Sequence, residues 1–139
     1  MTKPLFDPNN PCLFCHPKDN EIIAENDHAL MITDTFPVSN GHCLIIPRRH
    51  IATYFEATAE ENAAFFELIQ KAKSWVEAQG FQPDGYNIGN NNGIAAGQSV
   101  FHLHIHIIPR YIGDVENPKG GVRQVIPKKA AYNTQNRPA

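Results

Sequence analysis

One segment of the chain alternates apolar and polar side chains from Phe101 to Ile107. Residues 100–110 read VFHLHIHIIPR and place histidines at His102, His104 and His106. Side chains two residues apart in a β-strand point to the same face. The alternation therefore predicts a strand over residues 99–108, with three imidazoles on one face at backbone spacings of about 6.6 Å. The apolar side chains between them are expected to form the buried face of that strand.

The remaining pattern predicts an α+β fold with a mostly antiparallel sheet. Thr58 and Glu61 form a capping box ahead of apolar residues at helical spacing, which predicts a helix over residues 59–79 that ends at Gly80. Short apolar runs separated by turns predict four strands, at residues 21–27, 28–34, 42–47 and 85–91. The histidine-bearing strand is the fifth and is expected to end at Pro109. Strands on both sides of one main helix favour a five-stranded sheet with that helix packed on it.

Size and charge limit what the chain does. Its 139 residues suit one domain over residues 1–139, with an extended arm at 1–11 and a Gly- and Pro-rich segment at 111–139 that is either an ordered arm or a partly mobile tail. The formal charge of −2 gives no bulk attraction to nucleic acid or anionic membranes, so phosphate binding has to be local. No apolar run approaches the roughly 20 residues that cross a bilayer, and the N-terminus lacks a signal-peptide pattern. We therefore expect a cytoplasmic protein without nucleic-acid or membrane partners.

Three imidazoles in register are compatible with more than one chemistry. Imidazole exchanges a proton near neutral pH, and its neutral form is a nucleophile or a metal ligand. The segment is compatible with a half-exposed strand face of no chemical role, with an all-histidine metal site, or with covalent catalysis in which the middle imidazole attacks. Gln98 and Ser99 directly precede it and favour a polar site over a plain strand face.

The pattern HLHIHII resembles the signature of the histidine triad (HIT) superfamily of nucleotide hydrolases and transferases. The segments GHCLIIPRRH and NNGIAAGQSVFHLHIH are similar to that superfamily's strand before the helix and to its segment from an asparagine to the triad. The resemblance covers about residues 12–110. It implies a HIT-like fold whose sheet continues across a homodimer. The details GHCLIIP and HIIPR look closer to the dinucleoside polyphosphate hydrolases of the superfamily.

The resemblance also implies roles for four histidines. His104, the middle imidazole, would attack the α-phosphorus of a nucleotide and form a nucleotidyl-histidine, which water would then hydrolyse. His106 would contact the phosphate or the bridging oxygen and help the leaving group depart. His102 would support the nucleophile, and His42 takes the superfamily's fourth histidine position. Two displacement steps let one preorganised site stabilise both charged transition states.

Four other residues match substrate-contacting positions of the superfamily. Asp34 corresponds to a carboxylate that binds the ribose hydroxyls, and Asn91 to an asparagine that contacts phosphate or ribose, with Asn92 as the competing choice. Gln98 and Ser99 would donate hydrogen bonds to phosphate and leaving-group oxygens. Ordinary turn chemistry remains the alternative for Asp34, Gln98 and Ser99.

Two cysteines raise a separate question. Cys12 and Cys15 have the C-x-x-C spacing of a tetrahedral zinc half-site, and three cysteines in all are too few and too odd in number for a disulfide framework. The resemblance implies that His50 and His102 complete a structural zinc site. Empty reduced thiols, a redox pair or a site that uses His16 in place of one ligand are the alternatives. Cys43 is interpreted as a small core residue, and no organic cofactor is expected.

The leading hypothesis from the sequence is a hydrolase that cuts the α-phosphate bond of a dinucleoside polyphosphate such as diadenosine tetraphosphate. A nucleoside phosphoramidate or an aminoacyl-adenylate is the alternative substrate, favoured by the position of Ser99. A nucleotide-binding or sensing module with weak activity is the alternative from another class, and a metal-storage or redox role is the remaining one. A complete triad is unnecessary for binding alone, which favours the enzyme.

Overall fold

Five strands form one antiparallel sheet, and one α-helix packs on it, in the part of the chain that the structure describes. The structure is a computed structural model that describes residues 12–132, so the predicted arm at residues 1–11 lies outside it. The elements are, in chain order, β1 (Ile22–Glu25), β2 (Ala29–Thr33), β3 (Cys43–Pro47), α1 (Ala59–Ala78), β4 (Gly85–Gly89) and β5 (Ile105–Arg110). The strand order is β1-β2-β3-β5-β4, with every neighbouring pair antiparallel. The predicted fold class is confirmed.

Helix α1 begins and ends where its sequence predicts. The Thr58 hydroxyl accepts a hydrogen bond from the Glu61 amide at 3.1 Å, and the Glu61 carboxylate accepts one from the Thr58 amide at 2.9 Å. This reciprocal cap satisfies amides that the first turn leaves without helical partners. Gly80 follows the helix with a φ of +91°, which glycine adopts at little cost. Among the described residues, no helix combines the length and apolarity needed to cross a membrane.

The two faces of the sheet carry different apolar layers. The larger layer joins the buried stripe of α1, including Phe65 and Leu68, to inward side chains of the strands such as Ile45 and Ile107. The smaller layer lies on the opposite face. It consists of Leu30, Ile32, Leu44 and Ile46, against which Phe14 and Ile22 pack. The helix therefore covers one face, while a short N-terminal loop covers only part of the other and leaves room for a cleft.

The predicted extent of β5 is wrong at both ends. The strand begins at Ile105, six residues after the predicted start, and continues through Pro109 to Arg110. Residues 99–104 leave the ladder, and the Leu103 amide donates instead to the carbonyl of Ile51 at 2.7 Å. Phe101, expected on the buried face, is 46% exposed for the same reason. Pro109 is tolerated because pairing with β3 ends at Ile107, so no donor to that strand is lost.

The C-terminal segment packs on itself as far as the structure describes it. Short 3-10 turns cover Gly121–Val125 and Pro127–Lys129. The Arg123 guanidinium donates to the carbonyls of Ala130 and Lys129, and Ala130 is fully buried. A Cβ on Gly120 would lie 2.3 Å from the Ala130 carbonyl oxygen, so this position requires glycine. These contacts hold residues 120–130 against one another.

Candidate active site and metal centre

A cleft of about 600 Å³ opens on the sheet face that the helix leaves uncovered. Two of the triad histidines, His104 and His106, lie in its wall. The other lining residues come from the N-terminal loop, from β2, from the turn after it, from β3 and from the loop before β5: Leu13, Phe14, His16, Lys18, Glu21, Ile32, Thr33, Asp34, Thr35, Phe36, Leu44, Asn91, Ser99 and Val100. The cleft thus combines an apolar wall with several polar groups, which is the usual composition of a small-molecule site.

His104 presents one ring nitrogen that is free for chemistry. Its Nδ1 lies 2.8 Å from the carbonyl oxygen of His102. A carbonyl only accepts, so Nδ1 carries the ring hydrogen and Nε2 keeps its lone pair. The Phe14 ring lies against the imidazole, with centroids 5.0 Å apart. The neighbouring backbone therefore places the hydrogen of the neutral ring on Nδ1, which is the tautomer that a nucleophile at Nε2 requires.

His106 and His42, with Asp34 beside them, form a chain that we call the histidine relay. The backbone amide of Val38 donates to His42 Nδ1 at 3.1 Å, so the hydrogen of His42 lies on Nε2. That nitrogen is 2.9 Å from His106 Nδ1, which therefore accepts. The hydrogen of His106 is left on its Nε2, available to a group in the cleft. One backbone amide thus sets the tautomer of both rings.

Burial lowers the pKa of both relay histidines. Desolvation is the largest cause for His42, and the negative charge of Asp34 opposes it. Desolvation is again the largest cause for His106, and the neighbouring His104 and His42 lower its pKa further. Both rings are therefore neutral near pH 7, and each carries the single hydrogen that the relay assigns to it.

Asp34 lies at the end of β2, beside the relay. Its Oδ1 accepts a hydrogen bond from the Phe36 amide at 2.8 Å, which is the turn chemistry left open by the sequence. Its Oδ2 lies 3.4 Å from His42 Nε2 and 4.0 Å from His106 Nδ1. The carboxylate also lines the cleft, so its role as a turn residue leaves an oxygen facing a ligand.

The loop before β5 carries the other predicted substrate residues, and only some of them line the cleft. Asn91 and Ser99 line the cleft, and Asn92 instead accepts from the Tyr54 amide, which favours Asn91 in that pair. Gln98 is buried outside the cleft. Its amide nitrogen donates to the carbonyls of Ala52 and Val100, and its oxygen accepts from the amide of Gly93. These hydrogen bonds hold the loop together and use the polar atoms of Gln98 that were predicted to contact phosphate.

Four donor side chains meet at the edge of the cleft, and we call them the cysteine–histidine cluster: Cys12, Cys15, His50 and His102. Their ligand atoms all lie within 4.8 Å of one another. His102 Nδ1 is 3.5 Å from Cys12 Sγ, 3.4 Å from Cys15 Sγ and 3.2 Å from His50 Nδ1. Tetrahedral zinc bound to nitrogen and sulfur would place neighbouring nitrogens about 3.3 Å apart and nitrogen and sulfur about 3.5 Å apart. The cluster fits that ion in donor type and in spacing.

His102 is oriented as a ligand by its backbone contact. Its Nε2 lies 2.8 Å from the carbonyl oxygen of Pro47, so Nε2 carries the hydrogen and the Nδ1 lone pair points at the cluster. The side chain is fully buried, and this burial lowers its pKa from the ordinary value of 6.5 to about 4. The ring is therefore neutral near pH 7, as a metal ligand must be. His102 does not share a strand face with His104 and His106, contrary to the expectation from alternation.

The chain matches the family model described as HIT domain over residues 16–113. It belongs to the HIT domain family. A similar relative of this HIT chain is an uncharacterized HIT-like protein of Methanocaldococcus jannaschii, 42% identical over 79% of this chain and 87% of the relative. An adenylylsulfatase of Arabidopsis thaliana is 42% identical over 73% of this chain and 53% of the relative. An adenosine 5'-monophosphoramidase of Schizosaccharomyces pombe is 36% identical over 71% of this chain and 74% of the relative.

Solved structures agree with the fold of this HIT domain. A HIT family protein from Bacillus anthracis superposes with a TM-score of 0.68 at 38% identity, covering 76% of this chain and 77% of that one. A zinc-bound histidine triad family protein from Mycobacterium smegmatis superposes with a TM-score of 0.67 at 33% identity, covering 77% and 80%. The expected HIT fold is confirmed, and zinc occurs in a protein of this fold.

Sequence reasoning missed two contacts of the HIT domain's site. The first is Phe14, between the two cysteines of the C-x-x-C segment, whose ring contacts both His102 and His104. An aromatic residue between metal ligands is a signal that could have indicated it. The second is the Val38 amide, which sets the relay. A backbone donor has no signature in the sequence, so only the fold identifies it.

Proposed function

We propose that this HIT domain hydrolyses a nucleotide conjugate at its α-phosphate through a nucleotidyl intermediate on His104. The observation that carries this proposal is the fixed tautomer of His104, whose Nε2 lone pair is free beside a cleft of nucleotide size. A nucleotide-binding module needs a cleft but does not need an imidazole held in this state. The relay beside it supplies a second neutral ring with a hydrogen available for the leaving group.

The first step would form a bond between His104 Nε2 and the α-phosphorus. The bond from phosphorus to the leaving group breaks, and its electron pair stays with the leaving oxygen. His106 would stabilise that oxygen by donating its Nε2 hydrogen, while the His102 carbonyl accepts the Nδ1 hydrogen of the now cationic His104. Preorganised donors and acceptors of this kind lower the barrier because they need no reorientation as charge develops.

The second step would release the nucleoside monophosphate. Water attacks the same phosphorus, the nitrogen–phosphorus bond breaks, and its electron pair returns to His104 Nε2. The proton lost by the water leaves to the solvent. His104 is then in its starting tautomer, since its hydrogen has stayed on Nδ1 throughout, donated to the carbonyl oxygen of His102.

The cleft supports a particular orientation of the nucleotide. The apolar wall of Phe14, Ile32 and Leu44 suits a base, and the Asp34 carboxylate would accept from the ribose hydroxyls. Asn91 and Ser99, which line the cleft near the triad loop, would donate to phosphate oxygens. The names of the Arabidopsis and fission yeast relatives describe cleavage of adenylyl conjugates, which supports an adenosine nucleotide.

Two candidate substrate classes remain within this mechanism. Dinucleoside polyphosphates lose a nucleotide as leaving group, whereas phosphoramidates and aminoacyl-adenylates lose an amine or a carboxylate. We propose the first class as the main substrate, on the similarity of GHCLIIP and HIIPR to those hydrolases. The phosphoramidase relative favours the second class as the alternative.

The cysteine–histidine cluster is proposed to hold a structural zinc ion. Zinc bound there would tie the N-terminal loop to the segment that precedes His104, and it would take no part in the displacement. The donor set, the spacing and the orientation of His102 support this assignment, as does the zinc-bound relative. Reduced thiols suit the cytoplasmic location that we propose. We also propose a homodimer that pairs through the free edge of β4.

Turnover of two substrates tests the proposal. Full-length protein is incubated with diadenosine tetraphosphate and with adenosine phosphoramidate, and release of adenosine monophosphate is followed for each. Rapid quenching in alkaline denaturant with labelled substrate, which preserves a phosphorus–nitrogen bond, followed by peptide mass spectrometry, is expected to find the adenylyl group on His104. Tight nucleotide binding without turnover of either substrate would instead support a binding module. A label on a different residue would contradict the proposed nucleophile.

A further inference from the structure

A second groove, of about 440 Å³, lies between the sheet and the C-terminal segment. We call it the C-terminal groove. Strands β4 and β5 supply its floor, and the turn before β3 and residues 114–124 supply its walls. The lining residues are Val38, Ser39, Asn87, Ile108, Arg110, Asp114, Val115, Asn117, Pro118, Gly121 and Gln124. The catalytic proposal above makes no use of this groove.

The C-terminal groove continues the active-site cleft along the same face of the sheet. The even-numbered side chains of β5 share one face, so Ile108 and Arg110 follow directly after His106. Adjacent positions of this row are about 7 Å apart. The segment after β2 shows the same continuity, because residues 33–36 line the cleft and Val38 and Ser39 line the groove. A ligand whose α-phosphate lies at His104 and His106 therefore reaches the groove with its leaving group.

The chemistry of the C-terminal groove suits a heteroaromatic base. Ile108 and Val115 provide apolar wall. Three side-chain amides each make a hydrogen bond through only one of their two polar atoms. Asn87 Oδ1 accepts from Arg110 at 2.6 Å, and Asn117 Oδ1 accepts from the Lys119 amide at 3.1 Å. Gln124 Nε2 donates to the Lys119 carbonyl at 3.2 Å. Within residues 12–132, the opposite atom of each amide makes no hydrogen bond. Two donors and one acceptor are thus left, which is the mixture that a purine edge requires.

The charges around the groove are arranged for a phosphate-linked nucleoside. Inside it, Arg110 donates two hydrogen bonds to the Asp114 carboxylate, each at 2.8 Å, so this pair adds no net charge. The surrounding segment, residues 117–132, contains no carboxylate. It does contain four cations, namely Lys119, Arg123, Lys128 and Lys129. In a chain of net charge −2, this local excess of positive charge beside the groove favours a polyphosphate there.

We propose that the C-terminal groove binds the nucleoside of the leaving group, so that the enzyme selects a dinucleoside polyphosphate over conjugates with a small leaving group. The inference rests on the proposed hydrolysis at His104 and adds the part of the site that distinguishes substrates. It gives the C-terminal segment a function that the triad alone does not require. Substrates that lack a second nucleoside leave the groove empty, so the groove adds nothing to their binding.

A matched pair of substitutions in full-length protein tests the inference. Val115 is half-exposed in the groove wall, so Val115→Trp fills the groove and Val115→Ala leaves it open. For diadenosine tetraphosphate, Val115→Trp is expected to lower kcat/KM about tenfold or more, and Val115→Ala less than about twofold. Gln124→Ala, which removes an acceptor, is expected to lower it about three- to tenfold. For adenosine phosphoramidate, all three variants are expected to stay within about twofold of the original chain.

The outcomes separate this inference from the proposed function. If the original chain cleaves both substrates but Val115→Trp and Gln124→Ala lower both rates equally, or lower neither, the groove has no role in substrate choice and the inference falls alone. If the original chain cleaves neither substrate, the proposed function falls and the inference falls with it. Gln82→Ala, at an exposed position outside the groove, is the control for loss of a glutamine. Thermal melting of each variant checks that its fold is retained.

Discussion

The cysteine–histidine cluster and the histidine relay have similar distances between their donor atoms. They differ in which ring nitrogens of their histidines carry the hydrogen. Each brings at least three donor atoms within 4.8 Å of one another, and each is built partly from the triad segment. In the cluster, His102 donates its Nε2 hydrogen to the Pro47 carbonyl and points a lone pair at the centre. In the relay, His42 accepts from the Val38 amide and points a hydrogen at its neighbour.

This difference decides which group can hold a metal ion. An ion bound at His42 Nε2 would have to displace the only hydrogen of a ring whose Nδ1 already accepts from Val38. The ring would then be an anion, which is costly for a buried histidine. His102 meets the ion as a neutral ring supported by a carbonyl, which is the usual arrangement of a metal-bound histidine. The backbone partner of the outer nitrogen, rather than the distance between donors, therefore separates a metal site from a site for acid–base chemistry.

The largest expected effect is the loss of the proposed nucleophile, which lies between the two groups. His104→Ala removes the nitrogen that we propose bonds to phosphorus, so hydrolysis is expected to fall by about 10³-fold or more while nucleotide binding remains measurable. Steady-state turnover and equilibrium titration with adenosine monophosphate provide the two measurements. His28→Ala, on an exposed turn away from the cleft, is the matched control. Near-normal turnover of His104→Ala would rule out covalent catalysis at this residue.

Loss of the proposed zinc ion is expected to reduce stability rather than to abolish the proposed hydrolysis. An ion present at 1,000 times its dissociation constant adds about 4 kcal/mol to the free energy of unfolding. Cys15→Ser is therefore expected to lose stoichiometric zinc and to melt roughly 10 °C lower. Zinc is measured on protein purified without a chelator or a histidine tag. Cys43→Ala is the control, since Cys43 is buried in the core away from the cluster and its loss should leave the zinc content unchanged.

The pH dependence of the metal-free protein tests the burial of His102. Its pKa in the folded state is about 4, below the ordinary value of 6.5, so between these values the unfolded chain binds a proton that the folded chain does not. Stability must therefore be lost as the pH falls from about 6.5 to about 4, by about 3 kcal/mol in total. Urea unfolding of the metal-free protein across this range measures the loss. His102→Gln is expected to flatten the curve, and an unchanged slope in that variant would place the effect elsewhere.

Local features of the fold were predictable from the sequence. The cap at Thr58 and Glu61 and the stop at Gly80 depend on residues within one turn of each other, and the structure has both. Alternation likewise indicated the buried positions of β5 from Ile105 onward. The larger error lay at its start, because the exit of residues 99–104 from the ladder depends on a hydrogen bond to the Ile51 carbonyl. A contact between segments about 50 residues apart leaves no periodic signal.

The sequence indicated which residues form the candidate site but not how those residues contact one another. The resemblance named the cluster and the relay histidines, and the structure brings each set together. It did not indicate that Gln98 is held by the backbone carbonyls of Ala52 and Val100, since only the folded loop brings these groups to it. The C-terminal groove was unpredictable for the same reason, because it lies between β5 and a segment with no periodic pattern.

The smallest expected effect concerns Phe14, whose ring contacts both His102 of the cluster and His104, the proposed nucleophile. Its ring lies 6.1 Å from that of His102 and 5.0 Å from that of His104, measured between centroids. Ring contacts of this kind contribute about 0.5–1.5 kcal/mol, so Phe14→Leu is expected to lower kcat about two- to tenfold while zinc stays bound. Phe55→Leu, at a residue that is 85% exposed, is the control for loss of an aromatic ring. If Phe14→Leu raised KM alone, the ring would serve only to bind the nucleotide; a fall in kcat at unchanged zinc content would mean that the metal-bound loop helps to orient the nucleophile.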